Sequence, residues 1–178
     1  MKVLKIIKIV LLLLLLIICH SVSAQKYISK EGTISFFSDA PLEDISAINK
    51  SVSAVYDFES NDLVFSLFIT DFVFPKSLMQ EHFNENYLES DLYPKSTFIG
   101  KVISLNNDVA SVKGDLTIHG VTNRINVIGS LIKKDKVRIS ADFKVQLEDY
   151  NIAIPKIVMY KIAEEIEIKV EVELKEIK

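Results

Sequence analysis

The sequence predicts an all-β fold, an antiparallel eight-stranded β-barrel with one or two short helices, preceded by a cleaved signal peptide. Three observations predict it. Apolar and polar residues alternate with a period of two along most of the chain. Short turn sequences separate the alternating segments, and short links favour antiparallel pairs because parallel pairs need long crossovers. The first residues have the order of an export signal.

The N-terminal segment, residues 1–24, is predicted to be a secretory signal peptide. Three lysines precede the apolar run IVLLLLLLIIC at residues 9–19, and Ser-Val-Ser-Ala follows it. The run is shorter than the roughly 18 residues that a membrane-spanning helix needs. Val22 and Ala24 fit the small-x-small rule of a cleavage site, so we expect cleavage after Ala24.

Two other fates of this segment stay open. The apolar run could be retained as an N-terminal anchor. Cys19 could instead be lipidated, although the residue before a lipidated cysteine is normally Gly or Ala and here it is Ile18.

The mature domain, residues 25–178, is acidic and contains no cysteine. The leader holds three of the 21 basic residues and none of the 24 acidic ones, which leaves a net charge of −6. Nucleic acid and anionic lipid surfaces repel such a protein, so neither is an expected partner. We expect a periplasmic or secreted single domain without a stable membrane span. The sequence leaves open whether it forms a homodimer.

The predicted strands follow from the alternation. The clearest is the last, where Ile166, Ile168, Val170, Val172 and Leu174 have a charged residue in every gap between them. Such a strand has one buried and one solvated face. In chain order the strands are residues 33–38, 51–58, 62–74, 97–105, 112–118, 125–131, 137–147 and 166–174.

Two segments break the period of two. Residues 75–90 carry Leu78, Met79, Phe83 and Tyr87 at helical spacing, and a second short helix is predicted at residues 155–163. The strand at 62–74 is apolar on both faces. One face can enter the barrel, and the other needs cover, either from the helix that follows or from a ligand. An eight-stranded barrel is just wide enough to be filled by side chains or to hold one small ligand, and composition leaves both open.

Two motifs resemble the YceI-like family. The sequence GDLTIHGVT at residues 114–122, followed by the strand at 125–131, is similar to the signature hairpin of that family. Upstream, QEHF at 80–83 and ESDLYP at 89–94 resemble its His-containing helix and its Tyr-Pro turn. The resemblance covers most of residues 32–174. It implies a lipocalin-like barrel that binds a lipid or polyisoprenoid.

Catalysis is not expected. The chain has no nucleophile elbow, cysteine nucleophile, phosphate loop or nucleotide fingerprint. A zinc site needs three or four ligands, whereas the mature chain has two histidines, His82 and His119, so neither a metal nor another cofactor is predicted. His119 is expected to bond nearby backbone in its turn, and His82 to pack on the helix. For both, a contact to the head group of a ligand is the functional alternative.

The predicted function is to bind an apolar chain, an isoprenoid or another lipid, inside the barrel. The alternative is a structural or interaction module whose barrel is packed solid. The residues predicted to contact the ligand lie on the inward faces of the strands, on the helix and at the rim. They are Phe65, Leu67, Ile69, Leu78, His82, Phe83, Leu116, Ile118, His119, Val127, Phe143, Val145, Ile168 and Val170.

The export prediction can be checked directly. The order of basic, apolar and small residues predicts that the mature protein begins at Gln25. Mass spectrometry of the exported protein measures this N-terminus. A protein that begins at a diacylated Cys19, or that retains Met1, contradicts the prediction.

Overall fold

Alternating side chains place one apolar face of each strand inside a closed antiparallel barrel of eight strands. The structure is a computed structural model, and it describes residues 26–39, 44–154 and 163–177. The strands are β1 (Lys26–Ser38), β2 (Ile45–Asp57), β3 (Asp62–Phe68), β4 (Lys95–Asn106), β5 (Val109–Ile118), β6 (Val121–Lys133), β7 (Val137–Gln146) and β8 (Glu165–Glu176). Each strand pairs with the next, and β8 returns to pair with β1, which confirms the predicted eight-stranded barrel.

One end of the barrel is packed solid. Tyr56, Leu131, Val137 and Leu174 are at most 1% exposed, and they meet inside the end that carries the β2–β3, β4–β5 and β6–β7 turns. Close packing of this kind excludes water and forms one of the two hydrophobic clusters of the barrel. The barrel is therefore closed by side chains at this end.

The opposite end carries the helix and a second group of buried residues. Helix α1 spans Ser77–His82 and continues as a π-helical turn over Phe83–Tyr87. The predicted helix at 75–90 is thus shorter than expected and begins two residues after Pro75. We call this end of the molecule the helix end.

The predicted strand at 62–74 is wrong beyond Phe68. The amide of Asn49 donates to the Phe68 carbonyl at 2.9 Å. The Ile69 N–H still donates to the Pro94 carbonyl at 2.9 Å, but Pro94 has no N–H to donate in return, so the β3–β4 ladder ends there. A 3₁₀ turn at Ile69–Asp71 follows. This turn changes which positions face inward, so that Phe72 and Phe74 are buried.

Several predictions concern residues outside the described ranges. They include the signal peptide, the cleavage site and all but the last residue of the predicted helix at 155–163. Within the ranges that the structure covers, none of the helices has the length and apolar character to cross a bilayer.

The inward face of β8 predicts a large difference between neighbouring positions. Leu174 is fully buried, whereas Lys175 is exposed. Leu174→Asp places an unpaired charge in the solid core and should lower the free energy of unfolding by about 4 kcal/mol or more. Lys175→Asp should change it by less than about 0.5 kcal/mol. Urea titrations of the two variants compare them, and equal losses would mean that the face is wrongly assigned.

Candidate functional site

A cavity of about 610 Å³ occupies the barrel between the solid core and the helix end. Its size falls within the range of about 300–1,000 Å³ that is common for small-molecule sites. Every strand except β2 contributes at least two side chains to its wall, and the chain between β3 and β4 contributes several more. The barrel is therefore solid at one end and hollow at the other.

The structure brings together thirteen of the fourteen residues predicted from the sequence in the wall of this cavity. Whether they bind a ligand stays a prediction. They are Phe65, Leu67, Ile69, Leu78, His82, Phe83, Leu116, Ile118, Val127, Phe143, Val145, Ile168 and Val170. His119 is the residue that the structure places elsewhere.

Four phenylalanines form an aromatic cluster under the helix. Phe83, from the π-helical turn, stacks on Phe36 with 5.5 Å between ring centroids. It also meets Phe72 at 5.6 Å and Phe74 at 4.9 Å, both at steep angles between the ring planes. Aromatic pairs of this kind add about 0.5–1.5 kcal/mol each beyond the apolar area they bury. The cluster holds the helix end against β1 and forms part of the cavity wall.

Sequence reasoning missed three members of this cluster. Phe72 and Phe74 face inward only because of the 3₁₀ turn before them, and no alternation rule foresees that shift. Phe36 and Phe37 are both apolar, so either could have been the inward residue. The alternation Ile34, Phe36, Ser38 was a usable indication, since the first two line the cavity and Ser38 is buried.

Two glycines make room for an aromatic wall residue. Gly100 of β4 and Gly114 of β5 are directly paired. A Cβ atom at either position would lie within about 2.6 Å of the Phe98 ring. Because such an approach is impossible for other residues without displacement, the glycine pair seats the Phe98 ring flat against the sheet.

The polar side chains of the cavity wall lie mainly toward the helix. His82 is exposed, and its Nδ1 lies 2.8 Å from Asn86 Oδ1. Lys76 is also exposed and touches the cavity. Partial burial raises the pKa of the Tyr87 hydroxyl above its usual value, so this group stays protonated and able to donate at neutral pH. The wall can thus offer hydrogen bonds at one margin while the remainder is largely apolar.

The His119 side chain links three loops at the helix end. Its Nε2 lies 2.8 Å from Glu89 Oε2, and its Nδ1 lies 3.2 Å from the Tyr150 carbonyl oxygen. The Tyr93 ring meets the imidazole edge to face at 4.6 Å between centroids. A neutral imidazole has one N–H, so it donates to one of these two acceptors at a time. The side chain, 10% exposed, holds the rim together and does not line the cavity.

The backbone explains why His119 is followed by glycine. His119 and Gly120 have φ values of 51° and 72°, and Ile118 pairs with Val121 across this two-residue turn. Such turns match the twist of antiparallel strands and strongly favour Gly at the second position. A Cβ atom at Gly120 would also strike the Tyr93 ring at 2.5 Å. The turn therefore presents the imidazole to Glu89 and Tyr150.

The site is built for apolar contact. Across the described ranges, no three His, Cys, Asp or Glu side chains cluster in a way that could hold a metal ion. The arrangement can enclose an apolar molecule and bond a polar group at its margin.

Known proteins share this architecture. The family model of the YceI-like domain matches residues 22–174. Protein YceI of Shigella flexneri is 28% identical over 74 residues, which cover 38% of this chain. The match spans 39% of the length of that curated relative.

Solved structures share the fold at low sequence identity. A polyisoprenoid binding domain from Saccharophagus degradans, implicated in plant cell wall breakdown, has a TM-score of 0.73 at 9% identity, covering 87% of this chain and all of that one. BcnA of Burkholderia cenocepacia has a TM-score of 0.70 at 14% identity, covering 80% and 95%. The YceI protein of Campylobacter jejuni has a TM-score of 0.61 at 23% identity, covering 73% and 83%.

The two histidines predict different effects on stability. His119→Asn keeps a side chain that tolerates positive φ but removes the ring that spans Glu89 and Tyr150. We expect a loss of about 1–2 kcal/mol in the free energy of unfolding, the size of one hydrogen bond together with the edge-to-face contact to Tyr93.

The matched control is His82→Asn, on the exposed face of the helix. We expect it to cost less than about 0.5 kcal/mol. Chemical denaturation followed by circular dichroism measures both variants. Similar losses for the two would show that the bridge made by His119 contributes nothing.

Proposed function

The chain belongs to the YceI-like family, and from that premise we propose that it is an exported binding protein without catalytic activity. It holds an apolar chain, an isoprenoid or another lipid, in the cavity of its barrel. The observation that carries this proposal is the largely apolar cavity of about 610 Å³ inside an otherwise packed barrel. The Saccharophagus degradans neighbour, a polyisoprenoid binding domain with the same fold, supports the choice of ligand class.

The energetics of the wall favour an apolar ligand. Moving a hydrocarbon chain from water to an apolar site gains about 0.8 kcal/mol per methylene. Side chains such as Phe65, Leu116, Val145 and Ile168 offer no hydrogen bonds, so a polar ligand would lose its hydration there without replacement. The cavity therefore selects for apolar character more than for one particular tail.

The polar margin suggests the orientation of the ligand. The tail would lie deep, against the solid core, and a hydroxyl or other polar head would remain near His82 and Tyr87. A hydrogen bond there is worth about 1 kcal/mol, much less than the burial of a long tail. Affinity would come from the tail and orientation from the head.

The alternative of a barrel packed solid along its whole length does not fit the hollow helix end. Export rests on the leader sequence. A periplasmic or secreted location is part of the proposal. In an aqueous compartment, such a cavity would shield an apolar chain from water.

Two neighbouring residues of β6 test the binding site. Val127 lines the cavity, whereas Ile128 is 67% exposed on the outer face. Val127→Phe fills a volume that about two methylenes of the ligand could occupy. It should therefore raise the Kd of a long-chain isoprenoid about tenfold. Ile128→Phe makes a comparable change outside the barrel and should leave the Kd within about twofold.

The measurement uses N-phenylnaphthylamine, an apolar dye that fluoresces in dry sites, with farnesol as the competitor. Native mass spectrometry after gentle extraction shows in parallel whether lipid is retained by the purified protein. The proposal fails if wild-type protein neither binds the dye nor retains lipid. It also fails if the two phenylalanine variants bind farnesol equally well.

A further inference from the structure

The seam between β6 and β7 is incomplete. β6 pairs with β5 from Val121 to Ser130, and β7 pairs with β8 along its whole length. Between β6 and β7, however, pairing ends at Gly129 opposite Ala141. Residues 121–128 and 142–146 therefore keep their outer partners but have no strand pairing with each other. The unpaired part of β7 alone is about 17 Å long.

Another short ladder in the barrel is closed, which shows that the β6–β7 seam is exceptional. β2 and β3 pair over four residues each. Beyond them, the Asn49 side chain bonds the Phe68 carbonyl, and Ile48 pairs with Val73. Buried Phe72 and Phe74 fill the space behind this patch. The chain after β3 thus replaces the missing strand.

At the β6–β7 seam, the described residues show a different arrangement. Beyond Gly129, the next hydrogen bond that they form across the seam joins Asn123 Nδ2 to the Asp149 carbonyl at 2.6 Å. We call the intervening opening the lateral window. The Gly129–Ala141 pair bounds it toward the solid core, and the Asn123–Asp149 bond bounds it at the helix end.

The cavity reaches this window. Val127 and Phe143, one from each edge, line the cavity and are only partly buried. The separated strand edges therefore lie directly beside the hollow interior.

The charged side chains at the edges are held away from the opening. Arg124 of β6 makes a two-pronged contact with Asp115 of β5, at 2.8 and 3.0 Å. Lys144 of β7 donates to Glu165 of β8 at 2.6 Å. Each therefore pairs with the strand on its far side, and among the described residues no ion pair crosses the window. Widening it would break neither a ladder hydrogen bond nor one of these ion pairs.

We propose that the lateral window is the route by which the apolar chain enters and leaves the cavity. This inference rests on the proposed function. The aromatic cluster around Phe83 and the contacts of His119 hold the helix end together, so widening that end would disturb both. Entry through the solid end would displace fully buried residues such as Leu174. The window offers passage between strands that are already separate, and a chain longer than the cavity could project through it.

The test is to bridge the window and measure ligand exchange. The only cysteine of the chain is Cys19, in the predicted leader, so an introduced pair can be cross-linked specifically. Asn126→Cys and Lys144→Cys lie on opposite edges, at positions that would pair if the β6–β7 register continued past Gly129–Ala141. A short bismaleimide joins them. The control is Lys113→Cys with Asn126→Cys, across the continuous β5–β6 ladder, treated with the same reagent.

Stopped-flow fluorescence with N-phenylnaphthylamine gives the association and dissociation rates, and titration gives the Kd. The window-bridged protein should show both rates at least tenfold slower with the Kd within threefold, because a bridged route slows passage without changing the cavity. The control should match the wild type. Equal rates in the window-bridged and control proteins would overturn the lateral route while leaving the proposed function intact. Absence of dye binding in the wild type would overturn both.

Discussion

Closing eight antiparallel strands fixes the width of the barrel, and the side chains that fill this width determine what the protein can do. Toward the turns at one end, Tyr56, Leu131 and Leu174 fill it completely. Toward the helix end, the walls are built of apolar side chains that do not meet across the centre. The same strands thus enclose a packed core at one end of the barrel and a cavity at the other. Without the solid end, the hollow would be a channel through the barrel rather than a pocket.

The helix end depends on the point at which β3 stops. The β3–β4 ladder ends at Pro94, which has no N–H, and the Asn49 amide bonds the Phe68 carbonyl, so the chain leaves the sheet and turns inward. This change brings Phe72 and Phe74 under the Phe83 ring. Both the aromatic cluster and the closure of the β2–β3 seam follow from that one departure. The β6–β7 seam has no equivalent among the described residues, which is why two short ladders have such different consequences.

The sequence was sufficient to predict that there are eight strands, because alternation is a local property that the barrel retains. The bounds were less accurate, since β1 and β2 begin seven and six residues before the predicted strands and β3 ends six residues earlier. It was also sufficient for most of the cavity wall, since inward positions such as Leu116, Val127 and Ile168 continue the alternation of their own strands. It was insufficient at Phe72 and Phe74, where a 3₁₀ turn shifts the inward face. The partners of His119 could not be predicted either, because Glu89 and Tyr150 lie about 30 residues away in sequence on either side. Such contacts depend on how three loops converge, and no local pattern encodes that.

An apolar hollow lowers stability, because side chains that line it lose packing partners on one side. The solid end compensates with residues that are almost completely buried, and the bridges of His119 tie the loops around the hollow to one another. A ligand that fills the hollow would restore the missing contacts and stabilise the folded state by an amount that grows with the logarithm of its concentration above the Kd. The least complete seam lies beside the hollow and away from the solid core. Opening at that seam therefore disturbs few of the contacts that keep the barrel folded. One part of the sheet stabilises the fold, and a different part would allow ligand exchange.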